Sequence, residues 1–189
     1  MPQEASLNAL DSAAFDRVVD AAVRVLRADP RGRIVIDGRS GAGKTTLARR
    51  IAELAGARLV SLDELYEGWS GLAGATVVAA DLIASHAAGS IGAYHRWDWE
   101  RGEYSTRSTT VDPSVPLVIE GCGALSPAAA DGASTSIWID GDAAVRKHLA
   151  LTRDGDAFAP YWEMWAEQEN EHIRRNTPEK IAQLSFSAT

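Results

Sequence analysis

The chain has 189 residues, 46% of them hydrophobic and 24% charged, which suits one globular domain and excludes a disordered, collagenous or disulfide-stapled chain. Its 26 acidic and 19 basic residues give a net charge of −7, which argues against nucleic-acid binding as the main task, because phosphate backbones need clustered cations. A local phosphate site remains compatible with that balance. Sixteen of the bases are Arg and three are Lys, so a Lys at a motif position stands out. The one cysteine, Cys122, has no partner for an intramolecular disulfide. Residues 1–28 are amphipathic and studded with charges, unlike a secretion signal, and no apolar run approaches the roughly 18 residues that cross a bilayer. These features predict a cytoplasmic protein that partners neither membrane nor nucleic acid.

In chain order, Ala14, Phe15, Val18, Val19, Ala22, Val23 and Leu26 recur at helical spacing and predict a helix over residues 12–27. The β-branched run at 33–37 predicts a buried strand between turn residues. A helix follows over 45–54, a strand over 58–61 and an Asp-containing turn over 62–66. A helix is expected over 76–88, interrupted by the glycines of 89–92. Residues 93–112 are polar, aromatic and aperiodic, and read as a functional loop or a small β excursion. Further buried strands are predicted at 116–120 and 136–140, a helix at 141–151, and a break at Asp154-Gly155. An amphipathic helix is expected over 158–175 and a short last strand over 181–186. Strands alternating with helices imply βαβ units around a parallel sheet.

The sharpest signal is Gly38-Arg-Ser-Gly-Ala-Gly43-Lys44-Thr45, which satisfies G-x-x-x-x-G-K-[ST] between a predicted strand and a predicted helix. Its glycines let backbone N–H groups curl around phosphate oxygens, and the helix N-terminus adds partial positive charge. Gly38, Ser40, Gly41, Ala42, Gly43, Lys44, Thr45 and Thr46 are therefore the expected nucleotide-binding residues, with Lys44 on the terminal phosphates and Thr45 on Mg²⁺. Asp63 lies just past the second strand and Glu120 ends the third, where strand C-termini converge on a ligand crevice. Such a pair can serve as general base and Mg²⁺ ligand. Asp63 could instead cap its turn, as Asp commonly does.

With these residues in place, the chain resembles the uridine kinase-like branch of P-loop small-molecule kinases over residues 33–175, with its nearest likeness among actinobacterial members. The branch signals are Ser61-Leu-Asp-Glu-Leu-Tyr66 and Leu117-Val-Ile-Glu-Gly121, the second similar to a Walker B segment in which Glu replaces Asp. The resemblance implies one domain over 1–189 with the P-loop NTPase three-layer α/β sandwich, a parallel central sheet and a helical lid at about 141–157. It implies ATP and Mg²⁺, with Asp63 taking the acceptor hydroxyl's proton, Glu120 organising the metal, and Arg146 and Arg153 of the lid closing over the phosphates. Those two arginines are seven apart, two helical turns, and are expected on one side.

The acceptor insertion is placed at about 89–112. Tyr66, Tyr94, His95, Arg96, Trp97, Asp98 and Arg107 are its expected substrate-binding residues, since aromatic faces stack rings while charged groups fix hydroxyls or anions. Trp97 and Trp99, on alternate positions, could equally be packing anchors. Tyr161, Trp162 and Trp165 read as packing residues. Glu167, Glu169, Glu171 and His172 read as a solvated helix face. His86 and His148 have no ligand partner at suitable spacing, and Cys122 reads as a small buried hydrophobe. The expected activity is transfer of the γ-phosphoryl of MgATP to a hydroxyl of a small molecule, a nucleoside among the candidates and a sugar, sugar acid, vitamin precursor or antibiotic as alternatives. A nucleotide-binding ATPase module without an acceptor is the competing class. An open cleft beside Asp63 would favour the kinase and a filled one the module. A homodimer is compatible with the sequence.

Overall fold

The computed structural model describes residues 12–188, so residues 1–11 of the segment read for a secretion signal lie outside it. The elements run α1 (Ser12–Ala28), β1 (Arg33–Gly38), α2 (Lys44–Ala55), β2 (Arg58–Ser61), α3 (Leu72–Ala87), β3 (Gly92–Asp98) and β4 (Glu103–Val111). They continue with β5 (Leu117–Glu120), α4 (Pro127–Gly132), β6 (Thr135–Gly141), α5 (Ala143–Asp154), α6 (Trp162–Asn176), α7 (Pro178–Ile181) and β7 (Leu184–Ala188).

Five strands form one sheet in the order β2-β5-β1-β6-β7, and every neighbouring pair is parallel. Period-2 alternation sends neighbouring residues of one strand into two separate cores. Ile34 and Ile36 face α1 and α2 and pack with Val19, Leu26, Leu47 and Ile51, while Val35 faces the other side with Leu82, Ile83 and Trp165. Ile34, Val35 and Ile36 are all fully buried. That explains why this strand reads as an unbroken apolar run, and each such side chain contributes about 1.5–3 kcal/mol. The result is the expected α/β sandwich with a parallel sheet between helical layers. No helix among the described residues is long and apolar enough to cross a membrane.

Connectivity places the site. The chain leaves β1 for the edge strand β2, returns to insert β5 beside β1, and then lays β6 on β1's other flank. This reversal of direction opens a crevice beyond the C-terminal ends of the strands. Register puts Ile36 of β1 opposite Glu120 of β5, so Glu120 ends beside the glycine-rich loop.

Several boundaries differ from the sequence reading. Helix α3 starts at Leu72 rather than 76, and α6 starts at Trp162 rather than 158, preceded by single 3-10 turns at Gly155–Ala157 and Ala159–Tyr161. Pro160 lacks an N–H and disfavours helical geometry in the residue before it, so the regular helix begins after it. The last strand is shifted to Leu184–Ala188, because Pro178 opens the short helix α7 first. Helix α4 escaped the sequence reading, although Ser126-Pro127 is an N-cap followed by proline at the first helical position. Residues 93–112 form a β excursion, the antiparallel hairpin of β3 and β4, whose register shifts between His95 and Trp97.

Candidate active site

The loop between β1 and α2 is shaped by glycine at two close approaches. Gly38 has φ 153° and a Cβ there would lie 2.0 Å from the Ile139 carbonyl oxygen; Gly41 has φ 79° and its Cβ would lie 2.1 Å from the Arg146 carbonyl oxygen. Backbone thus packs on backbone at both points, which only glycine permits. Helix α2 begins on Gly43, a left-handed N-cap with no side-chain cap. Its first-turn amides therefore point out of the helix with no side chain to accept from them, the arrangement that receives an anion.

Lys44 is buried beside this turn, and its Nζ donates to the Arg39 carbonyl oxygen at 3.0 Å and to Cys122 Sγ at 3.2 Å. Burial pulls its pKa down, but Cys122, Glu120, Glu169 and Asp37 outweigh burial and leave it above the ordinary lysine value. The Cys122 thiol is pushed up to about 12 by burial against the pull of Lys44, so it is protonated at neutral pH and the carboxylates hold the ammonium charged. Cys122 is buried as expected, yet it is a polar partner of the loop as well, with Ser40 Oγ at 3.4 Å.

Glu120 is 2% exposed, and its Oε1 accepts from Ser61 Oγ at 2.7 Å and Thr45 Oγ1 at 3.2 Å. Burial raises its pKa, while Lys44 and Ser61 oppose the rise. A buried carboxylate with a threonine hydroxyl is a hard-oxygen donor set that fits Mg²⁺, an ion that takes one or two protein ligands and completes its shell with phosphate and water. Among the described residues no group of three or more carboxylate, imidazole or thiol ligands is placed to hold a metal ion.

The turn after β2 carries Asp63. Ser61 caps it, accepting from the Asp63 amide at 3.4 Å, so the capping role open to Asp63 falls to Ser61. Trp99 Nε1 donates to the Asp63 carbonyl oxygen at 2.9 Å and fixes the backbone. The Asp63 carboxylate has no hydrogen bond among the described residues and faces a cavity of about 1100 Å³. Desolvation by the cavity walls raises its pKa, against the pull of Lys44 and Arg153.

Ser40, Gly41, Lys44, Thr45, Thr46, Glu120, Asp63 and Arg153 all line this one cavity. Gly38, Ala42 and Gly43 shape the loop without lining it. Arg153 is held by Asp154 through Nε at 2.8 Å and a terminal nitrogen at 2.6 Å. Arg146 departs from the expectation that it shares a side with Arg153. It is 8% exposed, bonded to Asp140 at 3.0 Å and to the Ser40 carbonyl oxygen at 3.2 Å, and supports the loop from outside the cavity. Seven residues separate the two by about 10 Å along the helix axis, enough to pass from the loop's back to the cleft.

The residues expected to meet an acceptor divide in the same way. Arg96, Trp97 and Asp98 line the cavity, as does Tyr66, whose hydroxyl is committed to the Cys122 carbonyl oxygen at 2.9 Å. Tyr94 does not: it is buried, with its hydroxyl donating to Glu64 at 2.7 Å. His95 and Arg107 are exposed and lie off the cavity, His95 against the Ser105 carbonyl oxygen at 2.8 Å. The register shift after His95 separates them from Trp97 and Asp98. Trp99, in the hairpin turn, both packs on Trp69, with ring centroids 4.9 Å apart, and lines the cavity. Trp165 likewise packs on Tyr66 at 4.7 Å and lines it, which goes beyond the packing role expected of it.

Helix α6 supplies residues that the sequence reading assigned to a solvated face. Glu167 is exposed, but Glu169 and His172 are 4% and 5% exposed. Glu169 accepts from the Ser40 amide at 2.8 Å, with Arg39 at 3.6 Å from its other oxygen. His172 Nε2 donates to Asp37 at 2.8 Å, and Asn176 donates to His172 Nδ1 at 2.9 Å, which assigns the ring proton to Nε2. Trp165, Glu169, His172 and Asn176 recur at steps of four, three and four, so they share one stripe. Two ionisable groups on the stripe that Trp165 starts were the readable signal.

Asp37 ties this assembly together, being 1% exposed and accepting from the amides of Gly38 (2.6 Å), Gly123 (3.0 Å) and Leu125 (2.8 Å) as well as from His172. Asp37→Ala would leave three buried amides and an imidazole N–H unsatisfied and is expected to cost about 3–5 kcal/mol. Urea denaturation followed by circular dichroism checks this, and a loss below about 1 kcal/mol would contradict it.

No protein-family model matches this chain, and no curated protein matches it. Among solved structures, a possible uridine kinase from Bacillus stearothermophilus superposes with a TM-score of 0.61 at 18% identity, covering 92% of this chain and 99% of that one. A candidate fructose transport system kinase from Silicibacter sp. TM1040 gives 0.60 at 16% identity, with 91% and 98% covered. An uncharacterized protein from Eubacterium ventriosum gives 0.50 at 16%, with 82% and 87% covered. The fold is that of the P-loop kinases. At these identities the likeness is one of fold, spanning almost the whole of the first two chains.

Proposed function

We propose that this chain is an ATP-dependent kinase that transfers the γ-phosphoryl group to a hydroxyl of a small, ring-bearing acceptor. The observation that carries the reading is one continuous cavity lined both by Lys44 and Thr45 of the glycine-rich loop and by an aromatic wall, with the carboxylate of Asp63, unbonded among the described residues, facing it. A nucleotide would fill the part of this cavity beside the loop in either class of protein, and the open part beside Asp63 and the tryptophans is what favours the kinase.

Phosphoryl transfer requires positioning and charge neutralisation more than covalent chemistry from the protein. Lys44 and the first-turn amides of α2 would hold the nucleotide phosphates. Thr45 and Glu120 would hold Mg²⁺, which when bound neutralises phosphate charge. Asp63 takes the acceptor's hydroxyl proton as its oxygen bonds to the γ-phosphorus, and ADP departs with the electrons of the broken P–O bond. Arg153 lies on the same cavity and is the cation of α5 placed to meet the transferred group. Glu169 and Asp37 position the loop from behind.

The direct test is ADP release from MgATP with nucleosides, sugars and vitamin precursors offered as acceptors. An acceptor that raises turnover well above the bare ATPase rate supports the reading, and a panel with no such compound removes most of its weight. The raised pKa of Asp63 adds a pH expectation. The base works as the carboxylate, so activity falls as pH drops through its pKa. The acid limb of kcat/KM should therefore lie above the ordinary aspartate value of 3.8 and vanish in Asp63→Asn. A limb at the ordinary value would contradict the desolvated base.

A further inference from the structure

Resting on the kinase reading, we infer that the acceptor is a hydroxyl compound that carries a protonated amine on a ring-bearing body. The charge of the cavity beyond the phosphate loop points to this. Of the arginines there, Arg96 is paired with Glu64 at 2.5 Å, and Arg153, assigned to the transferred group, is paired with Asp154 at 2.6 Å. Arg49, one helical turn after Thr45 on α2, also lines the cavity, with no ion-pair partner among the described residues. The acids are less matched. Asp98 gives one carboxylate oxygen to the amides of Glu100 and Arg101, both at 3.0 Å, and neither Asp98 nor Glu100 has an ion-pair partner among the described residues. Asp63 adds a third carboxylate, reserved for the acceptor hydroxyl.

These acids stand with tryptophan. Trp69, Trp97, Trp99 and Trp165, together with Phe158, line the same cavity; Trp69 is stacked on both Phe158 and Tyr161, and Trp165 and Phe158 are buried, so the ring surface left to a ligand is that of Trp97 and Trp99. Aromatic faces attract cations through the ring quadrupole, most strongly for tryptophan, and a cleft lined by one sign of charge concentrates ligands of the other sign. A protonated amine gains from both features at once. A carboxylate or phosphate on the acceptor would instead enter beside three carboxylates, with Arg96 and Arg153 already paired. That disfavours sugar acids and phosphorylated acceptors. A neutral polyol would gain hydrogen bonds but leave the unmatched charge of Asp98 and Glu100 unused.

Two matched series test this with the full chain and MgATP: 2-amino-1-phenylethanol, 1-phenyl-1,2-ethanediol and mandelate; and glucosamine, glucose and glucuronate. ADP release should favour the amine of a series by about tenfold in kcat/KM over its neutral partner. The preference should shrink as salt is added, and Glu100→Gln and Asp98→Asn should lower it. A neutral or acidic compound preferred in both series would overturn the inference while leaving the kinase reading intact. Should none of the six raise ADP release, quenching of tryptophan fluorescence in the presence of a non-hydrolysable ATP analogue separates the two ideas. Tightest binding of the amines would support a cation site in a protein that is not their kinase, and equal or absent binding would overturn the inference.

Discussion

Asp63→Asn is expected to lower phosphoryl transfer by about 10²–10⁴-fold while leaving ATP affinity close to that of the unaltered protein. The amide keeps the size and shape of the carboxylate but cannot accept the hydroxyl proton. The Asp63 side chain has no hydrogen bond to lose among the described residues, and its turn is capped by Ser61 and anchored by Trp99, so the fold has no reason to change. The measurement is ADP release with an accepted substrate, beside an ATP-binding titration and a thermal melt. Full activity in the variant would remove Asp63 as the base. Lost ATP binding would place Asp63 in nucleotide binding instead.

Lys44→Ala should abolish ATP turnover, a loss of about 10²–10³-fold or more from removing one preorganised charge at the transferring group. This variant also touches stability. Lys44 is the cation among the buried carboxylates of Glu120, Glu169 and Asp37, and deleting one member of a buried charge cluster costs about 3–5 kcal/mol. Turnover is therefore to be measured at a temperature where circular dichroism shows the variant folded, with Lys44→Met as a second variant that keeps the apolar stem. Turnover retained by both folded variants would refute the phosphate-binding role of the loop. The two substitutions should also differ in kind, Asp63→Asn sparing ATP affinity and the Lys44 variants weakening it.

The role proposed for Lys44 reconciles a negative net charge with an anion site. The protein carries −7 overall, yet this lysine sits at the N-terminus of α2 with its charge maintained against burial by the carboxylates around it. Those carboxylates also shape the cavity's selectivity. Negative charge from Glu120 and Glu169 is matched by Lys44, Arg39 and hydroxyl donors, whereas that of Asp98 and Glu100 is left for a ligand.

The glycine-rich loop, the two strand-end carboxylates and the parallel sheet were all legible in the sequence, for a local reason. The loop is eight contiguous residues whose glycines answer to backbone geometry within that stretch. The runs at 33–37 and 136–140 are apolar on both faces because a central parallel strand is covered on both faces. Asp63 and Glu120 follow strands directly, so convergence of strand ends predicts their neighbourhood without any long-range contact. The hairpin was legible as an excursion, but not which of its residues face inward, because one register shift after His95 alters the facing of all that follow.

What only the tertiary structure decided is which distant side chains grip the loop and which reach the cleft. The Ser40–Glu169 and Asp37–His172 contacts join residues 129 and 135 positions apart, and neither partner's local periodicity carries that information. Arg146 and Arg153 share a helix and an Arg identity, yet one supports the loop from outside and the other lines the cavity, since α5 runs past the loop before reaching the cleft. The sequence by itself determined where the glycine-rich loop, its lysine and the strand-end carboxylates stand, because that pattern is written in neighbouring residues. The packing of α6 and the hairpin around the opening decided what else can enter, because the charge and aromatic surface of a cleft are sums over elements that meet only when the chain has folded.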